Sequence, residues 1–512
     1  MRPLVRRVSL ALACAWLLAS SMACARVEDR TRSGVSTVAV AYCCGDRVLS
    51  PGMDTNARLL VFLPLAEFDE RGQLEGRLAR RWEHSQDYQE WTYHLRTDVR
   101  WHDGVRATAH DVKFTMDLWA HPEVGWYGAA GVETTTVLND STVVIRYRQP
   151  TDALRYQPWL VYYPKHLLEH LNPEEFFEWE FWTHPVGNGP YRFVRLVAQT
   201  MMEFEANPDY YAGRPQVDRV VLKFVGDAGL VEVLSGNVDA WVPADPDQAS
   251  RLATDPRFHA YHSYSADAGL AIYWRNDHTF FRDRRVRRAL TLAIDRRELS
   301  QILNLPGTTP IVDGPFTERQ LRRGTLPEPP PHDRAEARAL LEAAGWRDRD
   351  EQGIRRRDGE SFCFTALASN DPMLQKIAVY VQDQLRRVGV QMDVQLLDGS
   401  VAYQRLSARE FEAVIVVTFD GLPRLYGPGG VLGYQNGEAA ELIERIEGTA
   451  DPDTLDHLYR KLTEIFQADG PATFLFPIVN FVVAHRRLEG LSSPWRADPV
   501  AHMADLWIKD EP

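Results

Sequence analysis

The sequence predicts an α/β protein of at least two lobes, on three observations. The chain has 512 residues, too many for one ordinary hydrophobic core. Between Phe362 and Leu396 it reads strand, helix, strand. Phe362 to Leu367 is apolar, Leu374, Ile377, Ala378, Val381 and Leu385 share one helical face, Gly389 is a stop, and Val390, Met392, Val394 and Leu396 alternate. That order argues for a parallel α/β unit. Between Trp91 and Trp119 it reads strand, turn, capped helix: Trp91, Tyr93 and Leu95 alternate with polar residues, and His102-Asp103-Gly104 turns the chain. Thr108 with Asp111 three residues on is a helix start, and Val112, Met116 and Trp119 form the buried stripe.

Residues 1–24 read as an export signal. Arg2, Arg6 and Arg7 form a charged start, Val8 to Ala19 is apolar apart from Ser9, and Ser21-Met22-Ala23 is a small-residue cleavage site. Cys24 follows at once and resembles the lipidated cysteine of a bacterial lipobox, with plain secretion as the alternative. Residues 25–34 are polar and read as a linker from the anchor. No other apolar run approaches the roughly 18 residues of a spanning helix, so the protein is expected to be tethered rather than embedded. After cleavage Cys43, Cys44 and Cys363 remain, and one bridge with a leftover thiol or three free thiols both stay open. The formal charge of −13, or −16 once residues 1–23 and their three Arg are gone, argues against a nucleic-acid partner.

Further elements follow in order. Val38, Val40 and Tyr42 begin the first strand, and Val143, Ile145 and Tyr147 alternate as another. Trp159 to Leu171 is an apolar run, a proline and a short helix. Tyr191 to Val197 and Met201 to Phe204 look like a hairpin, and Gly269 to Trp274 is a strand crossing to a second lobe. Asp283 can cap a helix whose stripe is Val286, Ala289, Leu290, Ala293 and Ile294. The five Arg between 282 and 288 read as a solvated face paired with local carboxylates rather than an anion site. Ala335 to Ala344 is a helix stopped by Gly345. Phe411 to Thr418 is a buried strand, helices follow around 439–446 and 454–468, and Phe474 to Val483 returns to the first lobe.

Few residues point to chemistry. A P-loop, a G-x-S-x-G elbow, H-E-x-x-H and paired C-x-x-C are absent from the sequence. His102, Asp103, His110 and Asp111 sit on a turn and a helix start without ligand spacing, which favours a structural role over a metal. His166-Leu-Leu-Glu169-His170 is a literal H-x-x-E-H, the zinc arrangement of inverted-motif metallopeptidases. It is the enzyme alternative, although no segment marks a third ligand. No cofactor is implied.

Several strings resemble one family. LRTDVRWHDGVRATAHDVKF, PVGNGPY at 185–191, NPDYYAGRPQVDRVVLKFV, LSGNVDA at 234–240, and FRDRRVRRAL with AIDR at 293–296 stand in family order. They resemble the extracytoplasmic solute-binding proteins of ABC importers, family 5, the oligopeptide, dipeptide and nickel class. YYPKHLLEH also resembles a Pro-Lys-His-Leu-Leu segment of that family, where it does no chemistry.

The resemblance implies a two-lobed periplasmic-binding-protein fold, class II-like and of type C, with a subdomain inserted in lobe one. Residues 1–23 would be the signal peptide and 24–35 the anchor linker. Lobe one would be 36–55, 185–270 and 480–512, the insertion 56–184, and lobe two 271–479. The implied function is capture of a peptide or similar small solute by hinge closure, by a monomer in the periplasm or on the outer face of the cell membrane. Delivery would be to an ABC permease and its ATPase subunits. A receptor or sensor without a permease is the other alternative. In peptide-binding relatives a loop after an equivalent strand carries an Asp that meets the peptide's α-ammonium group. Thr418-Phe419-Asp420 resembles its start, and a plain Asp-Gly turn is the other reading. Tyr273, Trp274, Phe419 and Tyr426 are candidate walls, against a core reading of each.

Overall fold

The computed structural model describes residues 35–42, 55–69, 73–122, 124, 131–153, 160–243, 246–418, 421–494 and 497–509. The predicted export signal, Cys24, Cys43 and Cys44 lie outside the described residues.

Ten strands form one continuous mixed sheet. In chain order they are β1 (Thr37–Tyr42), β2 (Tyr191–Val197), β3 (Met201–Ala206), β4 (Arg219–Phe224), β5 (Ala240–Trp241), β6 (Phe258–Trp274), β7 (Cys363–Ser369), β8 (Gln391–Leu397), β9 (Ala413–Thr418) and β10 (Ala472–His485). Their spatial order is β8-β7-β9-β6-β10-β5-β1-β4-β3-β2. The sheet belongs to two lobes because β6 and β10 are 17 and 14 residues long. At about 3.3 Å per residue, β6 reaches roughly 56 Å, enough to serve both.

The predicted strand–helix–strand unit is present. β7 and β8 pair in parallel with Phe364 opposite Met392, and the helix Pro372–Arg386 buries Leu374, Ile377, Ala378, Val381 and Leu385. Gly345 and Gly389 both take the positive φ that ends a helix, +93° and +86°. In the second lobe, alternation along β6 sends Leu270, Ile272 and Trp274 to one core and Ala271 and Tyr273 to another.

A separate four-stranded antiparallel sheet, in the order Ala79–His84, Glu90–Leu95, Thr142–Tyr147, Val132–Asn139, shares one hydrophobic core with Val38 and Val40 of β1 and Val220 and Leu222 of β4. Trp91, Tyr93, Val143 and Ile145 pack there with Val112 and Met116 of the helix Ala109–Trp119. Asp111 accepts the Thr108 amide at 2.7 Å and the Lys165 amide at 2.9 Å. It holds a helix start and a neighbouring chain together, as the structural reading expects.

Two elements differ from expectation. The helix over the H-x-x-E-H string is a single turn, Lys165–Leu168. Of the five Arg between 282 and 288, Arg287 is not on the solvated face. It is buried and donates to the carbonyls of Phe281 (2.6 Å), Asp469 (2.8 Å) and Gly470 (3.1 Å). Burial pulls its pKa down to about 10. Arg284, Arg285 and Arg288 do pair with the carboxylates of Asp469, Asp283 and Glu336. Among the described residues no helix is long and apolar enough to cross a membrane.

Candidate functional site

Strand direction marks the site. β1 is parallel to β5, and β5 and β6 are both antiparallel to β10, so β1 and β6 run the same way. β9 runs against β6, pairing Ala413 with Trp274 and Thr418 with Gly269. The carboxyl ends of β1, β4 and β5 therefore approach the lobe junction from one side, and those of β7, β8 and β9 from the other. In open α/β sheets the crevice outside the carboxyl ends is where ligands bind.

Among the strands of the sheet, β6 and β10 are the two that run through this junction. Their pairing breaks there, from Tyr264 opposite Val479 to Gly269 opposite Pro477. Five steps along β6 are taken up against two along β10, an irregularity at which a strand pair can bend. On one face of the sheet the apolar core is continuous across the junction, from Ala39, Ala41 and Trp241 to Leu270, Trp274 and Val286. On the other it is split, with Val38 and Val40 in one cluster and Ala271 and Tyr273 in a second. A crevice between the lobes would open on the divided face.

The sequence-predicted residues divide accordingly. Thr418 ends β9 at the junction, while Phe419 and Asp420 lie outside the described residues. Tyr273, Trp274 and Tyr426 are core rather than wall. Tyr273 pairs with Val414 and Ala472, four residues or about 13 Å along the strand from Gly269. Trp274 is fully buried against Phe281 and Phe364, and its indole N–H donates to Thr473 Oγ1 at 3.2 Å. Tyr426 meets Tyr273 edge-on at 6.4 Å in the opposite core. Neighbours in a strand face opposite ways, so Tyr273 and Trp274 cannot line one wall.

The zinc-peptidase alternative finds no support. His166 Nε2 lies 2.8 Å from the Asp103 carboxylate, and Glu169 is ion-paired with Lys165. The helix ends at Leu168, before His170. Among the described residues no group of three or more His, Cys, Asp or Glu side chains is placed to hold a metal ion.

Residues 73–429 match the family described as bacterial extracellular solute-binding proteins, family 5, which is more than half of the chain. The chain belongs to this family. Its members are binding proteins rather than enzymes. The oligopeptide-binding protein AppA of Bacillus subtilis is 26% identical over 465 residues, covering 85% of this chain and 82% of AppA. The structure of that AppA in complex with a nonapeptide aligns with a TM-score of 0.69 at 22% identity, over 93% of this chain and 99% of its own. NikA from Brucella suis in complex with Fe(III)-EDTA aligns at 0.78 and 19%, over 92% and 100%. These likenesses show the two-lobed periplasmic-binding-protein fold.

The first two of the family-like segments are joined to each other. His102, in the first, clamps the glycine loop of the second: Gly187 N–H donates to its Nδ1 at 3.2 Å, and its Nε2–H donates to the Gly189 carbonyl at 3.1 Å. Burial pulls the His102 pKa down to about 4, which keeps the ring neutral and able to do both. The two glycines lie against the end of the helix Thr55–Val61. A Cβ on Gly187 would fall 1.8 Å from the Val61 carbonyl oxygen, and one on Gly189 would fall 2.6 Å from the Val61 carbonyl carbon. Asn188 Oδ1 accepts the Leu63 amide at 2.9 Å, and Tyr191 donates to the Met503 carbonyl at 3.3 Å. Sequence reasoning placed His102 on a turn and did not see this clamp, which needs a partner 85 residues away.

Proposed function

We propose that the protein captures a peptide or similar small solute between its lobes and delivers it to an ABC permease and its ATPase subunits. The observation that carries this is the junction, where strand ends from both lobes are aimed at one crevice spanned by two strands with broken pairing. Lobe one is assigned to 36–55, 185–270 and 480–512 with the insertion at 56–184, and lobe two to 271–479. Asp420, two residues past the junction end of β9, is assigned to the ligand's ammonium group. A charge buried in a closing crevice is costly unless an opposite charge faces it. The ligand drives closure by binding the closed form more tightly than the open one.

The chain is further proposed to lose residues 1–23 on export and to be held at the membrane by a lipidated Cys24, as a monomer. Cys24→Ser should then move it from the membrane to the soluble fraction. The function itself is tested by small-angle scattering of the mature chain with nonapeptide pools, and by mass spectrometry of whatever co-purifies. Compaction with a peptide pool supports the reading. No compaction with peptides, glycosides, opines or chelated metals would sink it.

A further inference from the structure

A side chain of the inserted subdomain reaches across the crevice. Tyr88 lies in the turn between the strands Ala79–His84 and Glu90–Leu95, with φ at +56°. That left-handed backbone favours glycine or asparagine, and an aromatic residue there marks a special constraint. The turn is held by the Tyr88 amide on the Ser85 carbonyl (3.0 Å) and by Asp87 Oδ1, which accepts from Ser85 Oγ (2.5 Å) and the Gln89 amide (3.1 Å). The ring stacks on His84 at 4.1 Å. Its hydroxyl leaves the first lobe and donates to Asp451 Oδ1 at 3.1 Å.

Asp451 is fixed on the second lobe. It is the N-cap of the helix Pro452–Asp469, its other oxygen accepting the Thr454 amide at 2.8 Å. The short helix Glu318–Arg323 braces that first turn: Thr317 Oγ1 donates to Asp456 at 2.8 Å, and Arg319 pairs with Asp453 and Asp456. The same helix sends Arg322 back across the gap, its guanidinium 4.9 Å from the Phe68 ring of the insertion. Two contacts thus join the same two bodies.

Their position decides their role. The helix Pro452–Asp469 packs in the core of Ala271 and Tyr273, on the divided face where the crevice would open. A second bridge, Asp247 with Lys376 (2.7 Å) and Asn304 (2.7 Å), joins helices that pack on the continuous face. Bending at the broken pairing of β6 and β10 that opens the crevice would part Tyr88 from Asp451.

We infer that Tyr88 and Asp451, with Phe68 and Arg322, form a latch that closes only when the lobes do and sets how long the solute is retained. The inference rests on the hinge-closing reading above, and it assigns to the inserted subdomain a share of the affinity without a ligand contact. The test uses the mature full chain and a nonapeptide pool, with compaction followed by scattering and release followed after dilution. Tyr88→Phe should raise the midpoint of compaction and speed release by about fivefold, the scale of one partly exposed hydrogen bond to a carboxylate. The melting temperature without peptide should not change. Asp451→Asn keeps the Thr454 cap through its one oxygen and turns its N–H2 toward the Tyr88 hydroxyl, which must then accept a neutral hydrogen bond in place of donating to a carboxylate; release should be faster than wild type and no faster than in Tyr88→Phe. Equal midpoints and release rates for wild type and Tyr88→Phe would overturn the latch and leave solute capture standing. A wild type that does not compact would overturn both.

Discussion

Lowering the pH should loosen the joint between the two family segments. Only a neutral His102 ring with its proton on Nε2 can accept from Gly187 and donate to Gly189. Its folded pKa, about 4, lies below the usual 6.5, so the unfolded chain takes up the proton first. The stabilisation is therefore complete above about pH 6.5 and is lost as the pH falls toward 4. A shift of that size corresponds to about 3 kcal/mol, and because the ring is only part-buried we expect about 2 kcal/mol. The assay is urea unfolding of wild type and His102→Asn from about pH 7.5 to about pH 4.5. Asparagine keeps an acceptor near Nδ1 and loses the donor, so at neutral pH the variant should be less stable by about 1–2 kcal/mol. That gap should close as the pH falls, while all other titrating groups cancel in the difference. A gap that stays constant with pH, or an imidazole that titrates near 6.5 by NMR, would refute the clamp.

Three further outcomes are expected. Gly187→Ala should cost more than about 3 kcal/mol or prevent folding, since its methyl meets backbone that cannot move aside; a normal melting temperature would mean that the loop shifts. Arg287→Ala should destabilise the second lobe by about 3–5 kcal/mol by leaving buried carbonyls unpaired, and a loss under 1 kcal/mol in denaturant titration would show that water replaces it. Asp420→Ala should weaken binding of the co-purified solute at least about tenfold, near 1.4 kcal/mol, with the ligand-free melting temperature unchanged. An unaltered dissociation constant would remove Asp420 from the site.

The fold was legible and the site only partly so, for one physical reason. The recognisable strings are those whose residues are dictated by backbone geometry. Gly187 and Gly189 admit no side chain, Asp111 holds two amides, and the Asp283 side chain caps its helix. Such constraints are local or nearly so, and they fix residue types at fixed spacing. The readings that failed needed partners far along the chain. Arg287 looks like its neighbours in a basic run, and only Asp469 and Gly470, some 180 residues on, bury it. Tyr273 and Trp274 look like a pair of flat surfaces, and only the helices on each side of β6 show that both are interior. Tyr88 carries no sequence signal, because a left-handed turn residue is normally read from glycine or asparagine. A binding protein places its retention energy where lobes meet, and lobes meet through residues whose sequence neighbours say nothing of the contact. For this chain, therefore, side chains that bridge the first and second lobes, Tyr88 foremost, are where substitutions should change ligand retention while leaving fold and family signature intact.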